Sequence, residues 1–364
     1  METRSGLLNI RYLHIVRGLA ALLVVFFHAK YVFWVGGTVY KEEVGLHHFW
    51  DYAVFSADML SSCGKQCVVV FFILSAFVIR HSFSGHHYTW GNFYKIRVIR
   101  IYWPFFWSLA LSILVLFLCV NYINPAIYTD TFRGYNSRLS DAYNDLSFIQ
   151  VIKTIFFIDK GEYAGFNYAY WSLGHELIFY LLFPVYHLLG RYAKFGAATL
   201  FTIVYLLTGW MVFYYQLFFI AGLLLYDYFS GFSERPVIKN RWLYLLVLAV
   251  FFVAVNISIK LVSENFADMV TLVFSFFIFD YILHFVKSKN NLLMKLGDIS
   301  YSLYLNHLPL LLLSYSLITL YAGQLVFYSR IPYYSGVIIA VLLTIPIYLV
   351  TEKPSVAYLK KLRK

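Results

Sequence analysis

Long uncharged runs alternate with short polar stretches along this chain. A helix rises 1.5 Å per residue, so about 20 apolar residues cross a bilayer. Runs of that kind fall at 13–33, 65–80, 98–121, 170–190, 193–209, 210–230, 241–260, 267–286, 298–322 and 335–352. They predict an all-α, polytopic membrane protein with about ten transmembrane helices. The second and fifth runs are short and must borrow flanking residues, and the fifth and sixth divide near Gly209-Trp210.

Basic residues set the orientation, because Lys and Arg accumulate in cytoplasmic loops. With the N-terminus inside, Arg80, Lys95, Arg97, Arg100, Arg235, Lys239 and Arg241 all flank inner ends. Far fewer, among them Lys41, Lys65, Lys260 and Arg330, fall outside. A missing span would collapse this bias, so it supports the count as well as the direction. Both termini are expected in the cytoplasm. The first run carries Arg17 and His28 and has no small-residue cleavage site, so it reads as a retained span and not a signal peptide.

Composition agrees. Hydrophobic residues make up 61% of the 364 and charged ones only 13%, against about 25% charged in soluble domains. The net charge of +11 follows from topology. Nucleic-acid binding would need that charge on one soluble patch, and no soluble stretch is long enough to form it. The expectation is a single transmembrane domain over 1–364, with no second soluble domain.

The long outer connection, 122–169, holds the acids Asp130, Asp141, Asp145, Asp159 and Glu162. Within it "SFIQVIKTIFFID" is too short to cross and suits an interfacial or re-entrant helix. Connections this long without structure of their own are commonly functional, so this one reads as part of an outward-facing site. Cys63, Cys67 and Cys119 sit near the same side and read as structural. Cys63 and Cys67, four apart, could share a helix face or a disulfide; no CxxC pair points to a metal.

The candidate chemistry begins in "RGLAALLVVFFH". Arg17 and His28 are eleven residues apart, which puts them within about 20° of one helix face and about 16 Å apart. Ionisable groups within a span are costly and commonly functional, although Arg17 could snorkel to headgroups and His28 could hydrogen-bond inside a bundle. The fourth span, "YWSLGHELIFYLLFP", brings Glu176 near the depth of His28. A carboxylate there must be paired or protonated, which suits orienting an imidazole or taking a proton. His175 beside it faces elsewhere and reads as a bundle histidine. The ninth span, "GDISYSLYLNHLPLL", carries Asn306 and His307 near mid-bilayer. Arg97 and Arg100 in "FYKIRVIRIYWPFF" are neighbours on one face, and with Arg17 they could grip phosphates. No Walker loop or GxSxG elbow is present, so Ser75 in "FFILSAF" reads as packing or a helix–helix hydrogen bond.

Six stretches together resemble the acyltransferase family 3 membrane proteins: "RYLHIVRGLAALLVVFFH", "GKQCVVVFFILSAFVI", "RVIRIYWPFF", "YWSLGHELIFYLLFP", "GDISYSLYLNHLP" and "TEKP". The resemblance runs over nearly the whole chain. It implies transfer of an acyl group, usually acetyl from cytoplasmic acetyl-CoA, to a sugar hydroxyl of a bacterial surface polysaccharide or its lipid-linked precursor. It places the catalytic histidine at His28, the first-span arginine at Arg17, the arginine pair at Arg97 and Arg100, and the last-span glutamate at Glu352. Two departures bear on packing: Ala76 stands where the family usually has glycine, and Leu349 where it has an aromatic.

Together these imply a bacterial inner-membrane O-acetyltransferase with no permanently bound cofactor or metal. Arg17, Arg97 and Arg100 would hold the anionic end of an acyl-CoA. His28 would be the general base on a glycan hydroxyl, with Glu176 fixing its tautomer and Ser75, Asn306, His307 and Glu352 in support. An acyl-histidine relay is the mechanistic alternative. The competing class is a transporter of lipid-linked sugars or acyl donors without chemistry, though the repeat-related halves common in transporters are not visible.

Overall fold

The computed structural model describes residues 10–34, 37–84, 89–123, 135–158, 163–231, 235–287, 291–322 and 330–362. Asp130, Asp159 and Glu162 of the outer connection lie outside the described residues. The elements are α1 (Leu13–Phe33), α2 (Gly37–Glu43), α3 (Phe49–Met59), α4 (Gly64–Ser84), α5 (Trp90–Leu118), α6 (Tyr135–Asn144), α7 (Phe148–Ile155) and α8 (Trp171–Leu188). They continue as α9 (Arg191–Thr208), α10 (Met211–Gly231), α11 (Arg241–Leu261), α12 (Glu264–Phe285), α13 (Asn291–Ala322), α14 (Arg330–Val350) and α15 (Glu352–Leu362).

Eight of these helices are long and apolar enough to cross a membrane: α1, α4, α5 and α10 to α14. The protein is therefore an all-α polytopic membrane protein. The two other segments assigned as spans are also helical, α8 and α9, at 18 residues each. Within those 18 residues α8 carries His175, Glu176 and His187, and α9 carries Arg191 and Lys194. The division between α9 and α10 falls at Gly209, whose left-handed φ of 69° caps α9 with its N–H on the Tyr205 carbonyl. A side chain there would be strained, and glycine is the usual residue for such a helix end. The segment "SFIQVIKTIFFID" contains α7, eight residues long and capped by Ser147 Oγ on the Gln150 N–H. Phe148 and Ile149 on it are exposed.

The chain divides into two compact units, each discontinuous in sequence. The first comprises 1–20, 65–94 and 175–298. In it α9 packs on α10, and α11 on α12. Carboxylates tie these helices together, each met by donors, Asp268 and Asp280 buried and Asp227 partly so. Asp268 accepts from Gln66 Nε2 and Tyr214 OH, both at 2.8 Å, with Lys65 at 3.4 Å. Asp280 accepts from Tyr244 OH at 2.7 Å and the Val237 N–H at 2.9 Å. Asp227 binds Lys194, which is almost fully buried, and approaches Arg80 at 3.5 Å. In a lipid-exposed bundle the apolar effect cannot hold helix to helix, so such polar contacts and close packing do it. Ala76 is buried against Gly222 of α10, whose lack of a side chain leaves room for the methyl group.

The second unit comprises 21–64, 95–174 and 299–364. Phe105, Leu109, Tyr163, Ala164, Tyr170, Leu173 and Leu305 form a core in it. Its α13 carries Pro309 inside the helix. Proline has no N–H, so the Leu305 carbonyl loses its partner one turn back. Ser108 Oγ (2.9 Å) and Asn167 Nδ2 (2.8 Å) donate to that carbonyl instead. The fold thus meets the missing hydrogen bond of α13 with side chains of α5 and of the segment entering α8. This is how a proline-containing helix is tolerated at membrane depth.

Candidate active site

The same helix carries His307, two residues before the proline. His307 is fully buried, and its Nδ1 lies 2.7 Å from the Tyr304 carbonyl of its own helix. A carbonyl only accepts, so that Nδ1 carries the hydrogen and Nε2 of the neutral ring is an acceptor. His307 Nε2 sits 2.9 Å from His28 Nδ1, with ring centroids 4.9 Å apart. His28 Nδ1 also approaches the Val24 carbonyl at 3.1 Å. Both partners of that nitrogen accept, so His28 Nδ1 is the N–H, shared between them. Its Nε2 therefore holds the lone pair. Two neutral rings in series fix one tautomer of His28.

His28 lines a cavity of about 530 Å³. Phe27, Tyr31, Phe166 and Tyr168 supply aromatic wall, and Arg138, Asp141, Asp145 and Gln150 supply polar wall. The Tyr168 ring stands edge-on to His28, centroids 5.4 Å apart. Among the described residues its hydroxyl takes part in no hydrogen bond, and burial raises its pKa further above the usual tyrosine range. It stays an O–H donor at neutral pH.

Glu352 was assigned from the last-span motif. It is buried at the start of α15, and its Oε2 accepts from the Ser302 N–H at 3.0 Å and from Ser302 Oγ at 2.6 Å. Asn306 Nδ2 in turn donates to the Ser302 carbonyl at 2.8 Å. Glu352, Ser302 and Asn306 therefore fix the turn of α13 that precedes His307.

Glu176, expected to orient His28, has other partners: its Oε1 accepts from Ser75 Oγ at 2.7 Å and from Tyr180 OH. The imidazole of His307 occupies the role that depth alone had suggested for Glu176. Ser75 on α4 makes the helix–helix hydrogen bond expected of it. His175 packs its ring on Tyr215 at 4.6 Å, and its carbonyl accepts from Gln216 Nε2, so it is a bundle histidine.

Arg17 Nη2 donates to the Gly297 carbonyl at 2.9 Å, which ties the start of α1 to α13. Arg97 and Arg100 stand three residues apart on α5, Arg97 buried and Arg100 partly so. A guanidinium with 8% exposure is costly unless it meets compensating groups. Cys63, Cys67 and Cys119 are buried free thiols.

The sequence reading missed Tyr168 and the pairing of His307 with His28. The first is one of 33 tyrosines. The second joins residues 279 apart, for which no local spacing gives a signal. The acids Asp141 and Asp145 had a signal, since the long outer connection read as part of a site.

Comparison with curated proteins and with solved structures returns no match. A family model described as an acyltransferase domain, of the acyltransferase 3 type, matches residues 10–350, nearly the whole chain. With its membrane-crossing helices and that match, the chain belongs to the acyltransferase 3 family and is a multi-pass membrane acyltransferase.

Proposed function

We propose that this protein is an O-acetyltransferase of the bacterial cytoplasmic membrane. It moves an acyl group from a cytoplasmic acyl-CoA to a hydroxyl of a surface glycan or its lipid-linked precursor. The single observation that carries this reading is the His28–His307 pair, which leaves a lone-pair nitrogen on a ring lining a cavity.

In the reaction, His28 Nε2 takes the proton of the acceptor hydroxyl as its oxygen attacks the thioester carbonyl. The tetrahedral intermediate collapses, the C–S bond breaks, and the sulfur leaves with the proton that His28 returns. Histidine suits both steps because its pKa lies near working pH. His307 holds His28 in the tautomer with Nε2 unprotonated, and it accepts from Nδ1–H while His28 is briefly imidazolium. The Tyr168 hydroxyl supplies a donor for the oxyanion, the kind of preorganised contact that lowers acyl-transfer barriers most.

Charge supports the sidedness. The cavity at His28 is lined by two carboxylates and one guanidinium, an environment that repels the phosphates of CoA. Arg97 and Arg100, on the membrane side assigned as cytoplasmic, suit those phosphates. Arg17 joins them on the family resemblance alone. The donor and the acceptor thus enter from opposite sides.

The test is purified protein incubated with acetyl-CoA labelled in the acetyl group and a crude bacterial glycan. Label on sugar is the expected result. Movement of acetyl-CoA or glycan across proteoliposomes with no label on sugar would overturn the reading in favour of transport.

A further inference from the structure

The charged wall of the cavity comes from one face of one short helix. Arg138, Asp141, Ala142 and Asp145 line the cavity. They are spaced by three, four and seven residues from the first, which is the spacing of a single helical stripe. The Asp145 N–H bonds the Asp141 carbonyl at 2.9 Å, so the helical turn runs on to include it. The opposite side of α6 is anchored. Leu139 is fully buried, and Tyr143 OH accepts from Asn121 Nδ2 at 2.8 Å. The helix cannot rotate its charged face away without breaking these contacts.

The face has a sign. Two carboxylates and one guanidinium sum to −1 beside a neutral His28, in a chain whose net charge is +11. Among the described residues no ion pair ties Arg138 to either acid, so both carboxylates keep their acceptor capacity for a ligand. A carboxylate is acceptor-only, so this wall favours a ligand rich in O–H donors. Gln150 adds both a donor and an acceptor. Elsewhere in the lining, Phe27, Tyr31, Phe166 and Tyr168 offer apolar surface for the C–H side of a ring. The Tyr168 hydroxyl, with no hydrogen bond among the described residues, is a second mark of a polar ligand in this space.

We infer that the cavity-facing side of α6 is the selectivity wall for the acceptor, with Asp141 and Asp145 accepting hydroxyls of an uncharged sugar ring and turning away anionic sugars. This rests on the proposed reading in one respect, that the acceptor reaches His28 through this cavity. The discrimination is electrostatic: a carboxylate or phosphate brought between these acids meets like charge and leaves their acceptor sites unfilled. Arg138, one turn before Asp141, has no excess of charge with which to rescue an anion.

The experiment uses the full-length protein in detergent and two probes of one shape, methyl β-glucoside and methyl β-glucuronide. Binding is read by saturation-transfer NMR, and acetyl transfer from labelled acetyl-CoA is read in parallel. Wild type should bind the glucoside and discriminate against the glucuronide. Asp141→Ala and Asp145→Ala should each raise KM for the glucoside by about tenfold with kcat held within about twofold, the pattern of lost uniform binding. Asp141→Lys should shift preference toward the glucuronide, a gain that misfolding cannot imitate. Equal binding of both probes by wild type, or an unchanged KM in both alanine variants, overturns the inference. Selective binding without any acetyl transfer leaves the wall in place and removes the proposed chemistry. Transfer without selectivity does the reverse.

Discussion

His307 Nε2 lies 2.9 Å from His28 Nδ1, and its own Nδ1 is held by the Tyr304 carbonyl 2.7 Å away. One backbone carbonyl therefore dictates, through two rings, which nitrogen of His28 is basic. The arrangement makes His307 a positioning residue. His307→Ala should lower kcat by at least about tenfold, about 1.4 kcal/mol of barrier. His307→Gln should recover part of the loss, because an amide oxygen can still accept from His28 Nδ1–H. Steady-state kinetics on the three proteins, with the pH profile of kcat, checks this. Equal loss in both variants would point to packing alone.

The Tyr168 ring stands edge-on to His28 and lines the same cavity. Tyr168→Phe keeps the edge-on ring contact and removes only the O–H, so thermal unfolding in detergent should be unchanged. Loss of one oxyanion donor costs about 100-fold or more in kcat where the contact is ideal. The expected loss is smaller than that and falls on kcat with little effect on KM for the acceptor. A variant with wild-type kcat would remove Tyr168 from the reaction.

Glu352 supports the site from a distance. Its Oε2 receives two donors from Ser302, one of them a backbone N–H. Glu352→Ala takes the carboxylate acceptor away from the buried Ser302 hydroxyl, at a cost of about 1–3 kcal/mol. Glu352→Gln retains an acceptor oxygen and should fall between the two. Unfolding temperatures of the three proteins in one detergent provide the comparison.

A pH effect is expected at α3. The Asp51 carboxylate accepts from the His48 and His47 N–H groups at 3.0 and 3.2 Å, and these bonds hold its pKa below the usual 3.8. The group is depressed on folding. Its contribution is therefore complete above pH 3.8 and is lost as pH falls through the lower folded value. Amide exchange at His47 and His48 should show protection that holds down to pH 3.8 and fades below it. Protection unchanged at still lower pH would contradict the assignment.

Much of the fold was legible because lipid imposes a simple rule. Each assigned apolar run is a helix, and the Gly209 break appears where a φ of 69° needs glycine. The residue types at the site were legible too, since an imidazole or carboxylate within a span calls for a partner. Pairing them was a different matter. Depth matched Glu176 to His28, but depth is one coordinate, and rotation about α8 gives its carboxylate to Ser75 and Tyr180 instead. Pro309 was visible in the sequence, yet its effect depends on Ser108 and Asn167, from remote segments, reaching the Leu305 carbonyl. Such meetings are set by tertiary packing and leave no local pattern.

Chemical rescue at His28 tests the central claim most directly. His28→Ala removes the base, and general base catalysis is worth about 100- to 10,000-fold, so acetyl transfer to glycan should fall into that range while the protein stays folded. Added imidazole should restore part of the rate in a concentration-dependent way, because the cavity of about 530 Å³ gives it room beside the vacated position. Transfer by His28→Ala at the wild-type rate without added imidazole would contradict the account.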